Sequence, residues 1–258
     1  MAKYQYEQFL LLGDSLTEYS SVEENGLTPA LQKAYIRRLD VVNRGLDGYN
    51  TRQALQVLPY VISSPEQAKV RIVTILLGAN DGTSAAANNG MHVPLAQYAA
   101  NLKTILSHPA LAAQKPCCVV LVTPPPIDEH QHEVKDRAAG YPQMTRHAAV
   151  ASEYAEACRR VGGDFAGADV AVLDLWTALM RRAGWTPGDD VLAGSLAAPK
   201  NEVLGRLLSD GVHFTSAGYK VFFDELMGLI ESKWPDLMPE KIPFVFPPYN
   251  ELTGDLAV

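Results

Sequence analysis

Short, nearly continuous apolar runs recur along the chain and alternate with stretches in which apolar residues return every three or four positions. The runs fall at residues 9–12, 40–43, 70–77, 117–123 and 170–175. Rich in Val, Ile and Leu, they predict strands covered on both faces. Helical spacing falls at 28–38, 51–60, 94–107 and 145–161. Strand and helix alternating in this way predict a parallel sheet flanked by helices. A last helix, residues 216–233, reads as capped by Ser216 and closed before Pro235.

Beyond that helix, residues 239–258 are proline-rich and mixed in character, and Phe244, Phe246 and Tyr249 punctuate them. Their expected fate is to pack back on the body; the alternative is a second subunit in a homodimer. No repeat, low-complexity segment or long linker interrupts the pattern, so residues 1–258 read as a single domain with a packed tail. The 258 residues, 47% hydrophobic and 20% charged, are enough for one large α/β core. A net charge of -7 argues against a nucleic-acid partner, which would need clustered cations. No apolar stretch approaches the roughly 18 residues of a membrane span. The opening MAKYQYEQF lacks the cationic and apolar segments of a secretion signal, so a cytoplasmic location is expected. Cys117, Cys118 and Cys158 are odd in number and sit in apolar or helical surroundings, which reads as buried thiols, not disulfides.

In open parallel sheets, ligands bind beyond the carboxyl ends of the strands. The first predicted strand is followed by Gly13, Asp14 and Ser15, the second by Gly45, Leu46, Asp47 and Gly48, the third by Gly78, Ala79, Asn80 and Asp81. The fourth is followed by Pro124, Pro125 and Pro126, expected to stiffen one wall. A serine hydroxyl needs a base to take its proton and a third group to orient that base. Of the six histidines, His213 stands apart: it lies just ahead of the last helix with Asp210 three residues earlier. Acyl transfer also needs oxyanion donors. The Ser15 N–H, a glycine N–H from Gly45 or Gly48, and the Asn80 amide are candidates.

Four ordered blocks, GDSL at 13–16, NRGLDG at 43–48, GAND at 78–81 and DGVH at 210–213, together resemble the signatures of the SGNH (GDSL-type) hydrolases. The longer stretches NRGLDGYNTR, LLGANDG and LSDGVHFTSAGY look most like the isoamyl acetate-hydrolysing esterase group. That resemblance implies a three-layer α/β/α sandwich with a five-stranded parallel sheet of flavodoxin-like type. It implies cofactor-free, metal-free hydrolysis of small, short-chain carboxylic esters through an acyl-enzyme. Carried over, Ser15 is the nucleophile, His213 the base and Asp210 the orienting carboxylate; Ser15, Gly48 and Asn80 form the oxyanion hole. Gly48 is preferred to Gly45 because the family's donor glycine closes its block. Asp47 stands where the family commonly has a small residue.

Asp14 and Asp81 are expected to support the site through loop hydrogen bonds. The acidic and histidine-rich residues 128–133 lack metal-ligand spacing and read as a solvated loop near the pocket. Neither a Walker loop nor a GxGxxG follows a strand, so no nucleotide cofactor is expected. Lysophospholipases, thioesterases and carbohydrate deacetylases share this apparatus and are the alternative activities. A non-catalytic binding domain would be free to lose any of Ser15, Gly48, Asn80, Asp210 and His213, and all are present.

Overall fold

The structure, a computed structural model, describes residues 5–167 and 169–252. In chain order its elements are β1 (Glu7–Gly13), α1 (Ser15–Glu18), α2 (Leu27–Ala34), β2 (Leu39–Gly45), α3 (Thr51–Val61), β3 (Val70–Leu76), α4 (Leu95–Leu106), α5 (Pro109–Ala112), β4 (Cys118–Val122), α6 (Glu129–Ala138), α7 (Ala148–Phe165), β5 (Val170–Leu173), α8 (Leu175–Arg182), α9 (Glu202–Leu207) and α10 (Ser216–Lys233). Every strand pair is parallel, in the order β2-β1-β3-β4-β5, the doubly wound order of flavodoxin-like sheets.

Strand side chains alternate between two helical layers. Phe9 and Leu11 of β1 join a core with Leu31 of α2, Leu179 of α8, Leu204 of α9 and Phe222 of α10. Leu10 and Leu12 join another with Leu58 of α3, Leu102 of α4 and Val161 of α7. The inner strands are therefore apolar over most of their length because both faces are covered, whereas the edge strand β2 carries exposed Asp40 and Arg44. Register sets Gly45, Gly13, Leu76, Val122 and Leu173 level across the sheet. The loops that follow them leave from one edge.

Three local readings are corrected. Residues 128–133 are not a solvated loop; Asp128 caps α6 by accepting from His130 N. Buried Glu129 is held internally, accepting from the N–H groups of Ala148 and Leu196, each at 2.8 Å. Helix α7 begins at Ala148 instead of Thr145, because Thr145 is drawn into hydrogen bonds with Asp136. The cap of α10 is Thr215, whose hydroxyl accepts from Gly218 N, while Ser216 donates its hydroxyl to Glu23.

Residues 239–252 run along the opposite edge of the sheet. Val245 N donates to Arg37 O, and Arg37 Nη2 donates to Phe246 O, both at 3.0 Å. The Arg37 and Arg38 guanidiniums lie 4.3 and 4.2 Å from the Phe244 ring centroid, within cation–π range. Tyr249 stays exposed. Residues 253–258 of the tail lie outside the described residues. Among the described residues no helix is long and apolar enough to cross a membrane.

Candidate active site

Strand β1 ends in a sharp break because Asp14 caps α1, accepting from Leu16 N at 2.9 Å. Ser15 is thus the first residue of a short helix at the sheet edge. Its Oγ lies 2.9 Å from His213 Nε2. His213 sits in the turn between α9 and α10, closed by a bridge between Leu208 and Phe214. Asp210 Oδ1 accepts from the backbone N–H of Val212 and His213, which fixes the turn. Its Oδ2 lies 2.8 Å from His213 Nδ1. An ionised carboxylate only accepts, so Nδ1 carries the proton and Nε2 is left to accept from Ser15.

Burial pushes the Asp210 carboxyl up, but hydrogen bonds from His213 and Lys135 outweigh it and hold the group well below the usual carboxylate range. Lys135 Nζ, from α6, meets the same Oδ2 at 2.5 Å. The α6 backbone and Gln131 also grip the turn: Asp128 N donates to Gly211 O, and Gly211 N donates to Gln131 Oε1. The Tyr19 ring lies 5.2 Å from that of His213 on the other side.

Geometry separates the two glycines that spacing left open. Gly45 N donates to Asn43 Oδ1 at 2.8 Å, and a Cβ on Gly45 would stand 2.0 Å from Glu18 N. Its glycine is required by the close pass of α1, and its N–H is occupied. Gly48 takes a φ of +75°, which favours glycine. Among the described residues, its N–H and that of Ser15 have no hydrogen-bond partner. Asn80 follows β3 and is buried, donating through Nδ2 to Tyr49 O at 2.9 Å and accepting on Oδ1 from Arg146 at 2.7 Å.

Asp81 accepts from Thr51 N and Thr51 Oγ1, tying the loop after β3 to the start of α3. Burial pushes the Asp14 and Asp81 carboxyls up, to about 7 and about 6. Asp47 is exposed, and its N–H donates to Glu18 at 2.6 Å. Pro124 and Pro125 line, with Ala79 and Arg146, a cavity of about 10 Å³. His130 Nε2 meets Ala198 O at 3.1 Å and His132 Nε2 meets Thr145 Oγ1 at 3.0 Å, so both are bound into the protein. Burial pushes the thiols of Cys117 and Cys158 up to about 12, leaving them protonated at neutral pH.

Sequence reasoning missed Lys135, Tyr19 and Arg146. Gln131 and Lys135 are one helical turn apart, a signal readable only once α6 is recognised as a helix. Tyr19 follows Ser15 by a similar interval. Nothing local marks Arg146.

The family model for the GDSL-like Lipase/Acylhydrolase family matches residues 11–221. The chain is 34% identical over 240 residues to the "Isoamyl acetate-hydrolyzing esterase 1 homolog" of Homo sapiens, covering 93% of this chain and 87% of that protein. It is 27% identical to the "Isoamyl acetate-hydrolyzing esterase" of Saccharomyces cerevisiae, covering 97% of each. Among solved structures, a lipase/acylhydrolase from Enterococcus faecalis superposes with a TM-score of 0.60 at 20% identity, covering 88% of this chain and 96% of that one. An acetylxylan esterase from Geobacillus stearothermophilus gives 0.60 at 18% identity with the same coverage, and at such identity both speak for the fold. By the family match and the extent of its relatives, the chain belongs to the GDSL-like lipase/acylhydrolase family and is a carboxylic ester hydrolase.

Proposed function

We propose that the protein hydrolyses small esters of short acyl groups, acetate among them, through an acyl-enzyme on Ser15. The observation that carries the reading is the hydrogen-bonded chain from Ser15 Oγ to His213 Nε2 and from His213 Nδ1 to Asp210 Oδ2. His213 takes the hydroxyl proton as Oγ attacks the ester carbonyl carbon. The developing oxyanion is met by the N–H groups of Ser15 and Gly48 and the amide of Asn80. His213 then returns its proton to the alkoxide oxygen, and the alcohol leaves. Water, deprotonated by the same imidazole, cleaves the acyl-enzyme; the acid leaves and Ser15 recovers its proton. Asp210 keeps the tautomer and stabilises the imidazolium.

The names of the human and yeast relatives support acetate as the acyl group. A cytoplasmic location belongs to the same reading, supported by three cysteines that are free thiols. Hydrolysis of p-nitrophenyl acetate, p-nitrophenyl palmitate, an acyl thioester and an acetylated xylose, each by wild type and Ser15→Ala, tests it. The acetate ester is expected to be turned over fastest and only by wild type; a faster palmitate or thioester reaction would contradict the assignment.

A further inference from the structure

We propose that Arg146 is a positioning residue of the oxyanion hole, which fixes the direction of the Asn80 amide and polarises its N–H toward the reacting carbonyl. The inference rests on the esterase reading above. An amide side chain has two ends of nearly equal size, and turning it over would present Oδ1 to an oxyanion it must not meet. Arg146 Nη2 donates to Oδ1 at 2.7 Å. A guanidinium has no acceptor, so the reversed amide would set donor against donor. At the other end the Tyr49 carbonyl accepts from Nδ2 at 2.9 Å and cannot donate. Both neighbours enforce one orientation. Nδ2 carries a second N–H, which remains for a ligand.

The guanidinium has few other duties. Among the described residues no carboxylate forms an ion pair with it. Its remaining contacts are Nε to Ala79 O at 3.1 Å and a long approach of Nη2 to Met91 Sδ at 3.7 Å. Arg146 therefore holds both the backbone before Asn80 and the amide itself. Burial works against the charge, while Asp14, Asp136 and Asp210 support it from a distance. A hydrogen bond from a cation to Oδ1 draws electron density through the amide and strengthens its N–H as a donor.

The test is a double-mutant cycle on p-nitrophenyl acetate hydrolysis, with Arg146→Met, Arg146→Lys, Asn80→Ala and the combined variants, each first shown to be folded by circular dichroism. Asn80→Ala is expected to lower kcat about a hundredfold. Arg146→Met is expected to lower kcat about tenfold, leaving KM within about threefold, because its effect passes through one donor. In the Asn80→Ala background the same change is expected to cost less than about twofold. Arg146→Lys keeps the charge and is expected to recover part of the loss; it also carries the cycle if Arg146→Met does not fold. An equal loss in both backgrounds, or a loss confined to KM, overturns the role of Arg146. Undiminished turnover in Asn80→Ala would instead sink the oxyanion reading on which it rests.

Discussion

Lys135 donates to the same carboxylate oxygen that receives the His213 ring, so it competes for the charge that stabilises the imidazolium. Replacing it by methionine keeps the stem and removes the cation. Two nitrogens bound to one oxygen at 2.5 and 2.8 Å stand about 5 Å apart or less, a repulsion of about 3 kcal/mol at an effective dielectric near 20. The Lys135 side chain is 39% exposed, and screening reduces this to on the order of 1 kcal/mol. At about 1.4 kcal/mol per pH unit, the acid limb of kcat/KM is expected to move by about half a unit to one unit. The direction is upward, since losing a nearby cation lets the imidazole bind its proton at higher pH. Of the other groups facing His213, Asp210 stays ionised, Ser15 does not titrate, and the Tyr19 hydroxyl, pushed up by burial and by Asp47, stays neutral. The Arg146 guanidinium, which Asp210 helps to support, remains charged. The assay is a pH series from about 5 to 9 with p-nitrophenyl acetate, on wild type, Lys135→Met and Lys135→Arg. A limb that stays in place or moves down in Lys135→Met refutes the reasoning; Lys135→Arg is expected to leave it unmoved.

The two glycines of the loop after β2 are expected to fail differently. Gly48→Ala meets only the Met91 methyl at 3.6 Å, so it folds, loses roughly 1–2 kcal/mol of stability to its left-handed backbone, and turns over more slowly. Gly45→Ala drives a methyl into the backbone of α1 and is expected to lower the melting temperature far more; equal melting points would contradict the packing described. Asp14→Asn tests the buried carboxyl. Burial raises Asp14 to about 7, so between its ordinary value near 4 and about 7 the folded state binds more protons than the unfolded one. Stability in wild type therefore falls as pH rises through that window. The melting temperature of Asp14→Asn minus that of wild type is expected to grow from pH 5 to pH 8, and a flat or shrinking difference would count against it.

The strands were legible because both faces of the sheet are covered, which leaves runs such as residues 9–12 apolar without alternation. Helix α6 was not, because the face it buries is polar, with Glu129 accepting from two backbone N–H groups and His132 meeting Thr145. A polar string then reads as solvated although one face of it is buried. The residues around the serine were legible as blocks, since each lies at a strand end or just ahead of α10. Lys135 and Arg146 were not, because their partners Asp210 and Asn80 lie 75 and 66 positions away, and only packing brings them together. Spacing could not choose between Gly45 and Gly48; the carboxamide of Asn43 supplies the physical reason by occupying one of the two N–H groups. The course of the tail past Arg37 and Arg38 depends on a cation–π contact that no local pattern announces.

The proposed mechanism stands on one atom, the Ser15 Oγ that the end of β1 delivers to the sheet edge. Incubation with a fluorophosphonate, followed by peptide mass spectrometry, tests it most directly. One adduct is expected, on Ser15, absent in Ser15→Ala and formed far more slowly in His213→Ala. An adduct on another residue, or ester hydrolysis surviving in Ser15→Ala, would contradict it.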